Sequence, residues 1–320
     1  HRHNVNNLLI HSPLSLSPHR PVHQHPPPLT PSVPLHSPET YHRPTFAYMH
    51  PGGPKSDYNH RLLTMDRAMI AGLDDVGIGA LFGLAPYPYE VLAMLCHAEH
   101  LDQTYGAGPH TISVPRMRHA DGSAVADAPP FPVDDANFKK LVAILRIAVP
   151  YTGMILSTRE SPAMRTELLR VGMSQMSAGS RTDVGAYHKD GGCPDTVTAL
   201  GSELAGQFSL MDHRPMREIV AQLLRDGYVP SWCTACYRKK RTGPAFMDIA
   251  RAGKIHDFCH PNSLLTLSEY LNDYGSAEEK ALGAEVLARE AADPSLSVGA
   301  RRLLKRKLGQ VEKGEHDVYV

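Results

Sequence analysis

The stretch Gly153-Met-Ile-Leu-Ser-Thr-Arg159 is a short apolar run, and a helical pattern from Pro162 to Val171 follows it directly. This order, a buried strand and then an amphipathic helix, recurs along the chain. Such alternation is typical of parallel strands covered by their connecting helices. It predicts an α/β fold with about five strand–helix units, whose strand candidates begin near Glu39, Asp75, His110, Gly153 and Gly172.

The number of strand–helix units limits which architectures are possible. Five are too few for a closed eight-stranded barrel of the TIM type, but they match its C-terminal portion, and a doubly wound open sheet is the alternative. We interpret Glu39 to Tyr41 as the visible end of the first strand. Polar residues cluster at the predicted C-terminal ends of the strands, where barrel enzymes build their sites. These residues are Glu39, Arg116, Arg118, Arg159, Glu160, Ser177 and Ser180.

Composition divides the chain into three parts. Residues 1–38 are rich in His, Pro, Ser and Leu and cannot bury a core, so we expect a disordered leader. Residues 39–210 carry the strand–helix alternation, and residues 211–320 are expected to form a mostly helical domain.

Lys+Arg and Asp+Glu are both 33, which gives no argument for nucleic acid or an anionic membrane as partner. No stretch is apolar enough to span a bilayer, so we expect a soluble protein.

Three of the five cysteines have a spacing that suits a metal centre. Cys233 and Cys236 form a C-x2-C pair, and Cys259 follows after twenty-two intervening residues. Three thiolates can hold three irons of a 4Fe-4S cube and leave the fourth iron to a ligand that is not a cysteine. The isolated Cys96 falls in a predicted helix and is expected to pack in the core.

Other interpretations of the cysteine spacing stay open at this point. A zinc site fits as well as an iron–sulfur cluster, because His256 or His260 could supply a fourth ligand to the three thiolates. A disulfide is a weaker interpretation, since no secretory signal peptide is visible to indicate an oxidising compartment. The flanking residues decide between these interpretations.

The flanking residues resemble a known family. The segments Ser231-Trp-Cys-Thr-Ala-Cys-Tyr-Arg-Lys-Lys-Arg-Thr-Gly243 and Phe258-Cys-His-Pro-Asn-Ser-Leu-Leu-Thr-Leu-Ser-Glu-Tyr270 closely resemble the C-terminal cluster domain of HydG. The HydG family comprises radical S-adenosylmethionine tyrosine lyases that mature FeFe-hydrogenase. The resemblance covers about residues 39–320 and favours iron–sulfur over zinc. It extends back through Ile112-Ser-Val-Pro-Arg116, Asp75-Val-Gly-Ile-Gly79, Met65-Asp-Arg67 and Glu39-Thr-Tyr-His42.

The resemblance implies the C-terminal portion of a radical S-adenosylmethionine barrel, followed by a helical cluster-binding domain. The family cleaves L-tyrosine to p-cresol and dehydroglycine, and the latter gives CO and cyanide on an additional "dangler" iron of a 4Fe-4S cluster. By this match Cys233, Cys236 and Cys259 would hold the cluster, and His110 would hold the dangler iron together with a free L-cysteine. The implied partners are S-adenosyl-L-methionine, L-tyrosine and the other hydrogenase maturation proteins, without nucleic acid or membrane.

Further binding residues are assigned by position, and no catalytic residue is assigned. Arg116, Arg118 and Arg159 are candidates for gripping substrate or S-adenosylmethionine carboxylates, because a guanidinium matches a carboxylate bidentately. Two serines, Ser177 and Ser180, are candidates at the same strand ends. The cofactor-side candidates by strand-end position are Glu39 and Thr40.

One family motif is absent from the sequence. The C-x3-C-x2-C loop, which in the family holds a second 4Fe-4S cluster and cleaves S-adenosylmethionine, does not occur here. We therefore expect a truncated or mis-joined product that is inactive alone. A non-catalytic iron–sulfur binding or assembly protein stays open, as does a ThiH-like 2-iminoacetate synthase of thiamine biosynthesis, against which the three cysteines argue. The family occurs in the bacterial cytoplasm and in plastids or related organelles, and no clear targeting peptide is visible.

We predict that this polypeptide alone makes no p-cresol from tyrosine, because it has no thiolate loop for reductive cleavage of S-adenosylmethionine. The measurement is chromatography of p-cresol after anaerobic reconstitution with iron and sulfide and addition of tyrosine, S-adenosylmethionine and a reductant. A reaction without S-adenosylmethionine is the control. Formation of p-cresol above that control would contradict the prediction.

Overall fold

Within the described residues, six strands form one sheet. The computed structural model describes residues 7–11, 39–180 and 209–320, with the backbone alone for 7–11. The order of the strands across the sheet is β2-β3-β4-β5-β1-β6. In chain order they are β1 (Asn7–His11), β2 (Gly77–Gly79), β3 (Thr111–Ser113), β4 (Gly153–Leu156), β5 (Gln175–Ser177) and β6 (Val229–Ser231).

Strands β2 to β5 run parallel, as the strand–helix alternation predicts. Gly77 pairs with Thr111, and Thr111 with Gly153, so β2, β3 and β4 begin side by side. The neighbouring strands approach closely at Gly79, where a Cβ would lie 2.5 Å from the carbonyl oxygen of Ser113. Because the strands share one direction, the residues before them gather at one edge of the sheet and the residues after them at the other.

The two remaining strands complete the sheet. Strand β1 is antiparallel to β5, with Asn7 opposite Ser177, and antiparallel to β6, with Leu9 opposite Ser231. It lies inside residues 1–38, and the prediction of disorder for that segment did not foresee it. The other residues of the segment lie outside the described part of the chain.

Helices connect the strands and build the C-terminal part. Helices α4, α6 and α7 connect successive parallel strands, and none of the described helices is long and apolar enough to cross a membrane. The helices are α1 (Arg43–Met49), α2 (Tyr58–Leu62), α3 (Thr64–Ile70), α4 (Tyr87–Tyr105), α5 (Ala124–Asp127), α6 (Asp135–Ala148), α7 (Pro162–Val171), α8 (Met216–Arg225), α9 (Ala235–Arg238), α10 (Gly243–Arg251), α11 (His256–Asp273), α12 (Ala277–Ala291) and α13 (Val298–Val311).

The crossover helices have local start signals in the sequence. The Asp134 carboxylate accepts a hydrogen bond from the backbone N–H of Asn137 at 2.7 Å and caps α6. Ser161 caps α7 in the same way, and Pro162 follows at its first position. These side chains satisfy backbone donors that have no partner within the helix, which fixes where the helix begins. The predicted helix from Pro162 to Val171 is therefore found with the same bounds.

The C-terminal part is mostly helical, as the sequence predicts, and α11 is its centre. Helices α12 and α13 both pack on α11, and Leu264, Leu265 and Leu267 of α11 are fully buried. Helix α12 approaches very closely at Gly283, where a Cβ would lie 2.3 Å from a methyl carbon of Leu271. The packing holds in place the helix that carries Cys259 near its start.

The interpretation of Glu39 to Tyr41 as a strand end is wrong. Glu39 adopts a φ of 69°, outside the extended region, and its carbonyl accepts a hydrogen bond from Leu81 N–H at 2.8 Å. The Thr40 hydroxyl and the Tyr41 N–H both donate to the buried Glu90 carboxylate of α4, the latter at 2.9 Å. The segment is thus a loop held by a distant carboxylate, and four of the five strand candidates are strands.

We predict that Leu145→Ala lowers the free energy of unfolding by about 2–5 kcal/mol, the usual cost of a cavity in a packed core. The Leu145 side chain lies fully buried on α6. On the same helix Ile147 is 81% exposed, so Ile147→Ala serves as the matched control with little change. Urea denaturation followed by circular dichroism measures both variants, and equal losses would contradict the burial of Leu145 against the sheet.

Candidate metal centre

Three thiols are buried at the junction of the sheet and the C-terminal helices. Cys233 follows β6, Cys236 lies in α9, and Cys259 lies in the first turn of α11. Their exposed fractions are 1%, 3% and 4%, and none of them takes part in a disulfide. The structure therefore gives no support to the disulfide interpretation. Cys96, predicted to pack in the core, is exposed on α4 because it faces away from the sheet.

Burial controls the protonation of these thiols. It raises the pKa of Cys233 to about 12 and the pKa of Cys259 well above its usual range, and the neighbouring thiols raise both further. The Arg241 guanidinium acts in the opposite direction on the pKa of all three thiols. Without metal the three thiols are therefore neutral at pH 7, and only a bound metal would convert them to thiolates.

The surroundings of the thiols are apolar on one side and cationic on the other. Cys236 and Cys259 pack in one buried cluster with Ala107, Phe246, Met247 and Ile255. Arg241 lies 4.8 Å from the centre of the Phe258 ring and donates to the carbonyl oxygen of Val320 at 2.7 Å. A positive group held beside three potential thiolates would offset their negative charge.

His110 lies beside this cluster, immediately before β3. Its Nδ1 is 3.3 Å from Oδ1 of Asp75, and the other carboxylate oxygen of Asp75 accepts a hydrogen bond from the hydroxyl of Tyr237. Tyr237 follows Cys236 directly in α9. The contacts Tyr237–Asp75–His110 therefore connect the C-x2-C turn to the amino edge of the parallel sheet.

The contact with Asp75 has a chemical consequence for His110. An imidazole whose one nitrogen faces a carboxylate is oriented to bind a metal through the other nitrogen. Phe246 lies against the same ring, with centroids 6.1 Å apart. His110 is buried, and through Phe246 it adjoins the apolar cluster that contains Cys236 and Cys259; its role as an iron ligand stays a prediction.

Asp75 and Tyr237 were missed as site residues. They are 162 positions apart, and neither belongs to a cysteine motif. The available signal was weak: Asp75 precedes an apolar, glycine-containing strand, and Tyr237 follows the second cysteine. Nothing in the sequence indicated that the two side chains meet.

The arrangement of the donors gives no support to a single zinc ion held by the three thiols. Thiolates on one tetrahedral zinc would have their sulfurs about 3.8 Å apart, given Zn–S bonds of about 2.3 Å. Among the described residues, His256, His260 and Asp293 form a set of ligand atoms within 4.8 Å of one another, and the three thiols do not belong to it. The two histidines considered as a fourth zinc ligand thus lie with a carboxylate instead.

A second cluster of charged residues lies beyond the opposite, carboxyl edge of the strands. Both side-chain oxygens of Glu160 accept from Arg116, with Nε to Oε1 at 2.9 Å, and Arg118 donates to Oε2 at 2.8 Å. Arg116 also donates to Asp135 at 2.8 Å, and these acidic partners raise its pKa although burial alone would lower it. Of the seven polar residues predicted to cluster at the strand ends, Arg116, Arg118, Arg159 and Glu160 contact one another.

The contacts give these arginines partners within the chain. The Arg116 fork is paired with Glu160 and braces the loop after β3, and a role of Arg116 in carboxylate binding stays a prediction. Arg159 donates to the carbonyl oxygen of Arg116 at 3.4 Å, and burial together with the charge of Arg118 lowers its pKa to about 10. Arg118 and Arg159 remain candidates for binding an anion.

The serine candidates lie at the end of β5. The carbonyl oxygen of Ser177 accepts from Arg165, a fully buried arginine that is also paired with Asp212. Ser180 is half-buried and is the last residue described before the gap. The Arg165–Asp212 pair was not foreseen, because its two members are 47 positions apart.

The two cofactor-side candidates have partners within the chain. Oε2 of Glu39 is 3.1 Å from Nε2 of His50, and Lys55 lies 3.6 Å from the other oxygen. Thr40 is fully buried against Glu90, whose pKa is raised by burial. Both contacts stabilise the loop before α1, and a role in cofactor binding stays a prediction.

We predict that iodoacetamide labels Cys96 rapidly and Cys233 and Cys259 slowly in the metal-free folded protein at about pH 8, since only thiolates react. The pKa of each buried thiol is raised, so its labelling should accelerate as the pH rises. Peptide mass spectrometry over time measures each site separately. The control is the protein in denaturant, where the three rates should converge; equal rates in the folded protein would exclude the burial of Cys233 and Cys259.

Several known proteins are similar in sequence to this chain. The biotin and thiamin synthesis associated domain matches residues 113–229. The 2-iminoacetate synthases of Escherichia coli (strain K12) and Salmonella typhimurium (strain LT2) are 32% and 31% identical over 195 residues, which is 61% of this chain and 48% of each relative. The chain thus spans about half the length of the curated relatives it matches.

Solved structures are similar over more of the chain. A crystal structure of HydG, described as a maturase of FeFe-hydrogenase, has 50% identity and a TM-score of 0.80, and the match covers 89% of this chain and 59% of that one. The FeFe-hydrogenase maturase HydG from Carboxydothermus hydrogenoformans has 38% identity and a TM-score of 0.67, with 85% and 56% covered. These similarities support placing the chain in the superfamily that contains HydG and the 2-iminoacetate synthases.

Proposed function

We propose that this chain provides the iron–sulfur centre of a HydG-type hydrogenase maturase. Cys233, Cys236 and Cys259 would hold a 4Fe-4S cluster, and His110 would hold an additional iron together with a free L-cysteine. The observation that carries the proposal is the grouping of three buried thiols with His110, which is buried, faces Asp75 and packs against Phe246 of the apolar cluster around Cys236 and Cys259. When bound, such an iron has open positions that suit the π-acceptor ligands CO and cyanide.

The residues around the centre have separate tasks in this proposal. Asp75 orients His110 and would keep its other nitrogen available to a metal, and Tyr237 fixes Asp75 in turn. Arg241 would offset the negative charge of the bound thiolates. Phe246 and Met247 would exclude water from the cluster. The chain would thus provide a site that excludes water and stabilises the negative charge of the thiolates when a metal binds.

The complete reaction is part of the same proposal. Radical cleavage of L-tyrosine with S-adenosyl-L-methionine would give p-cresol and dehydroglycine, and the latter would give CO and cyanide. The carboxyl edge of the sheet is where we place substrate binding, with Arg118 and Arg159 as candidates for carboxylates. The proposed iron–sulfur centre would lie at the amino edge, so the two functions would occupy opposite edges.

A second candidate is a tyrosine-cleaving enzyme of the 2-iminoacetate synthase type. The curated relatives with that name favour it, at 32% and 31% identity. Such a function would need neither the three thiols nor His110 as iron ligands. Iron bound in the C-terminal part of the chain therefore discriminates between the two candidates.

We predict that the anaerobically reconstituted chain binds about five irons with free L-cysteine present, from one cube and one additional iron. Cys259→Ala should abolish cluster binding, because two thiolates cannot replace three. His110→Ala should lose about one iron and keep about four, since it removes only the ligand of the additional iron. Iron and acid-labile sulfide analysis measures these counts.

The matched control is Cys96→Ala, which removes an exposed thiol and should retain all the irons. Retention of about five irons by His110→Ala would contradict the assignment of the additional iron. Binding of zinc in place of iron by the thiols, or a full iron count in Cys259→Ala, would contradict the whole proposal. Circular dichroism of the metal-free variants checks that each one is folded.

A further inference from the structure

Two histidines at the start of α11 converge with an aspartate from another part of the chain. His256 and His260 are one helical turn apart, so they lie on the same face of the helix. Their rings stack with centroids 5.0 Å apart. Asp293 lies in the turn between α12 and α13 and reaches the same place.

The distances between these groups resemble those of a mononuclear metal site. Oδ2 of Asp293 is 3.4 Å from Nε2 of His256 and 4.0 Å from Nε2 of His260, and all three ligand atoms lie within 4.8 Å of one another. Ligands on a tetrahedral zinc ion lie about 3.3 Å apart, given bonds of about 2.0–2.1 Å. A contraction of about 0.1–1.5 Å, depending on the pair, would bring the three atoms into that arrangement.

From this geometry we propose that His256, His260 and Asp293 bind one divalent transition-metal ion of the zinc class. Two imidazoles and one carboxylate are a donor set that such ions accept, whereas Mg²⁺ and Ca²⁺ prefer oxygen alone. The site is separate from the thiol centre and does not depend on the proposed function.

The charges and exposure around the three ligands favour a cation. Glu290 adds a second carboxylate, with Oε2 3.4 Å from Nε2 of His260, and could serve as a further ligand. Arg289 is paired with the other oxygen of Glu290 at 2.8 Å. The side chains of His256 and Asp293 are 32% and 22% exposed, which leaves a path for the ion and for a water ligand.

Hydrogen bonds within the chain compete with the ion. Ser295 Oγ lies 2.9 Å from Nε2 of His256, and the carbonyl oxygen of Glu290 lies 3.2 Å from Nε2 of His260. These contacts hold the two rings close to their metal-binding positions in the metal-free protein. The ion would replace the contact of His256 with Ser295 and the contact of His260 with the Glu290 carbonyl, and it would fasten the start of α11 to the turn after α12.

The consequence concerns Cys259, which lies between the two histidines in the first turns of α11. An ion at this site would restrain the turn that presents Cys259 to the thiol centre. The start of α11 is already connected to the residue before α13, because Asp257 accepts a hydrogen bond from Ser297 N–H at 3.0 Å. The ion would therefore stabilise an existing junction between α11 and the helices after it.

The test is Co²⁺ binding by the full chain under anaerobic conditions, after its thiols are blocked by alkylation in denaturant and the protein is refolded. Co²⁺ held by imidazole and carboxylate gives visible d–d bands without sulfur-to-cobalt charge transfer. We expect one equivalent of Co²⁺, displaced by Zn²⁺. In His256→Asn and in Asp293→Asn the affinity should fall by at least about 100-fold.

The matched control is His119→Asn. His119 contacts two carboxylates, Asp121 and Asp127, through opposite ring nitrogens, so it cannot gather them around one ion, and the variant should bind Co²⁺ like the parent. Unchanged binding in His256→Asn, or equal loss in His119→Asn, would overturn the proposal. If alkylation prevents refolding, isothermal titration of the unmodified chain replaces it: the parent should then bind one Zn²⁺ equivalent more than His256→Asn, and equal stoichiometry would overturn the proposal.

Discussion

The parallel alignment of four short strands is the constraint on which the rest of the structure depends. Because β2 to β4 begin side by side, the residues that precede them, Asp75 and His110, meet at one edge of the sheet. The residues that follow the strands, Arg116 and Glu160, meet beyond the other edge. The C-terminal helices bring Cys236 to the first edge. The protein thus separates a thiol and histidine centre from an arginine and glutamate cluster by the length of the strands.

Much of the fold could be predicted from the sequence where its causes are local. Helix α7 begins and ends as predicted, because Ser161 caps its start and Gly172 follows its end with a positive φ. The interpretation of Glu39 to Tyr41 failed because the decisive partner is Glu90, about fifty positions away. Strand β1 could not be foreseen, since its residues pair with strands more than 160 positions later in the chain.

The candidate site also has some features with local causes in the sequence and others that depend on distant partners. The three cysteines could be proposed from the sequence because their spacing is local and their flanking residues resemble a family, whereas Asp75 and Tyr237 meet across 162 positions. Arg116 was assigned to a substrate because sequence shows its chemistry but not its partner, Glu160, 44 positions later. The residue types therefore predicted which side chains have the chemistry to bind a metal or a carboxylate. Only the fold showed which of them already neutralise each other.

Diffraction at the iron absorption edge, from anaerobic crystals of the reconstituted chain, tests the proposed centre most directly. We expect anomalous density for a four-iron cube bonded to Cys233, Cys236 and Cys259, with one further iron at the imidazole of His110. The Fe–S cluster would explain why three thiols with raised pKa values lie together in an apolar site. A single ion between the thiols, or iron density away from His110, would contradict this assignment.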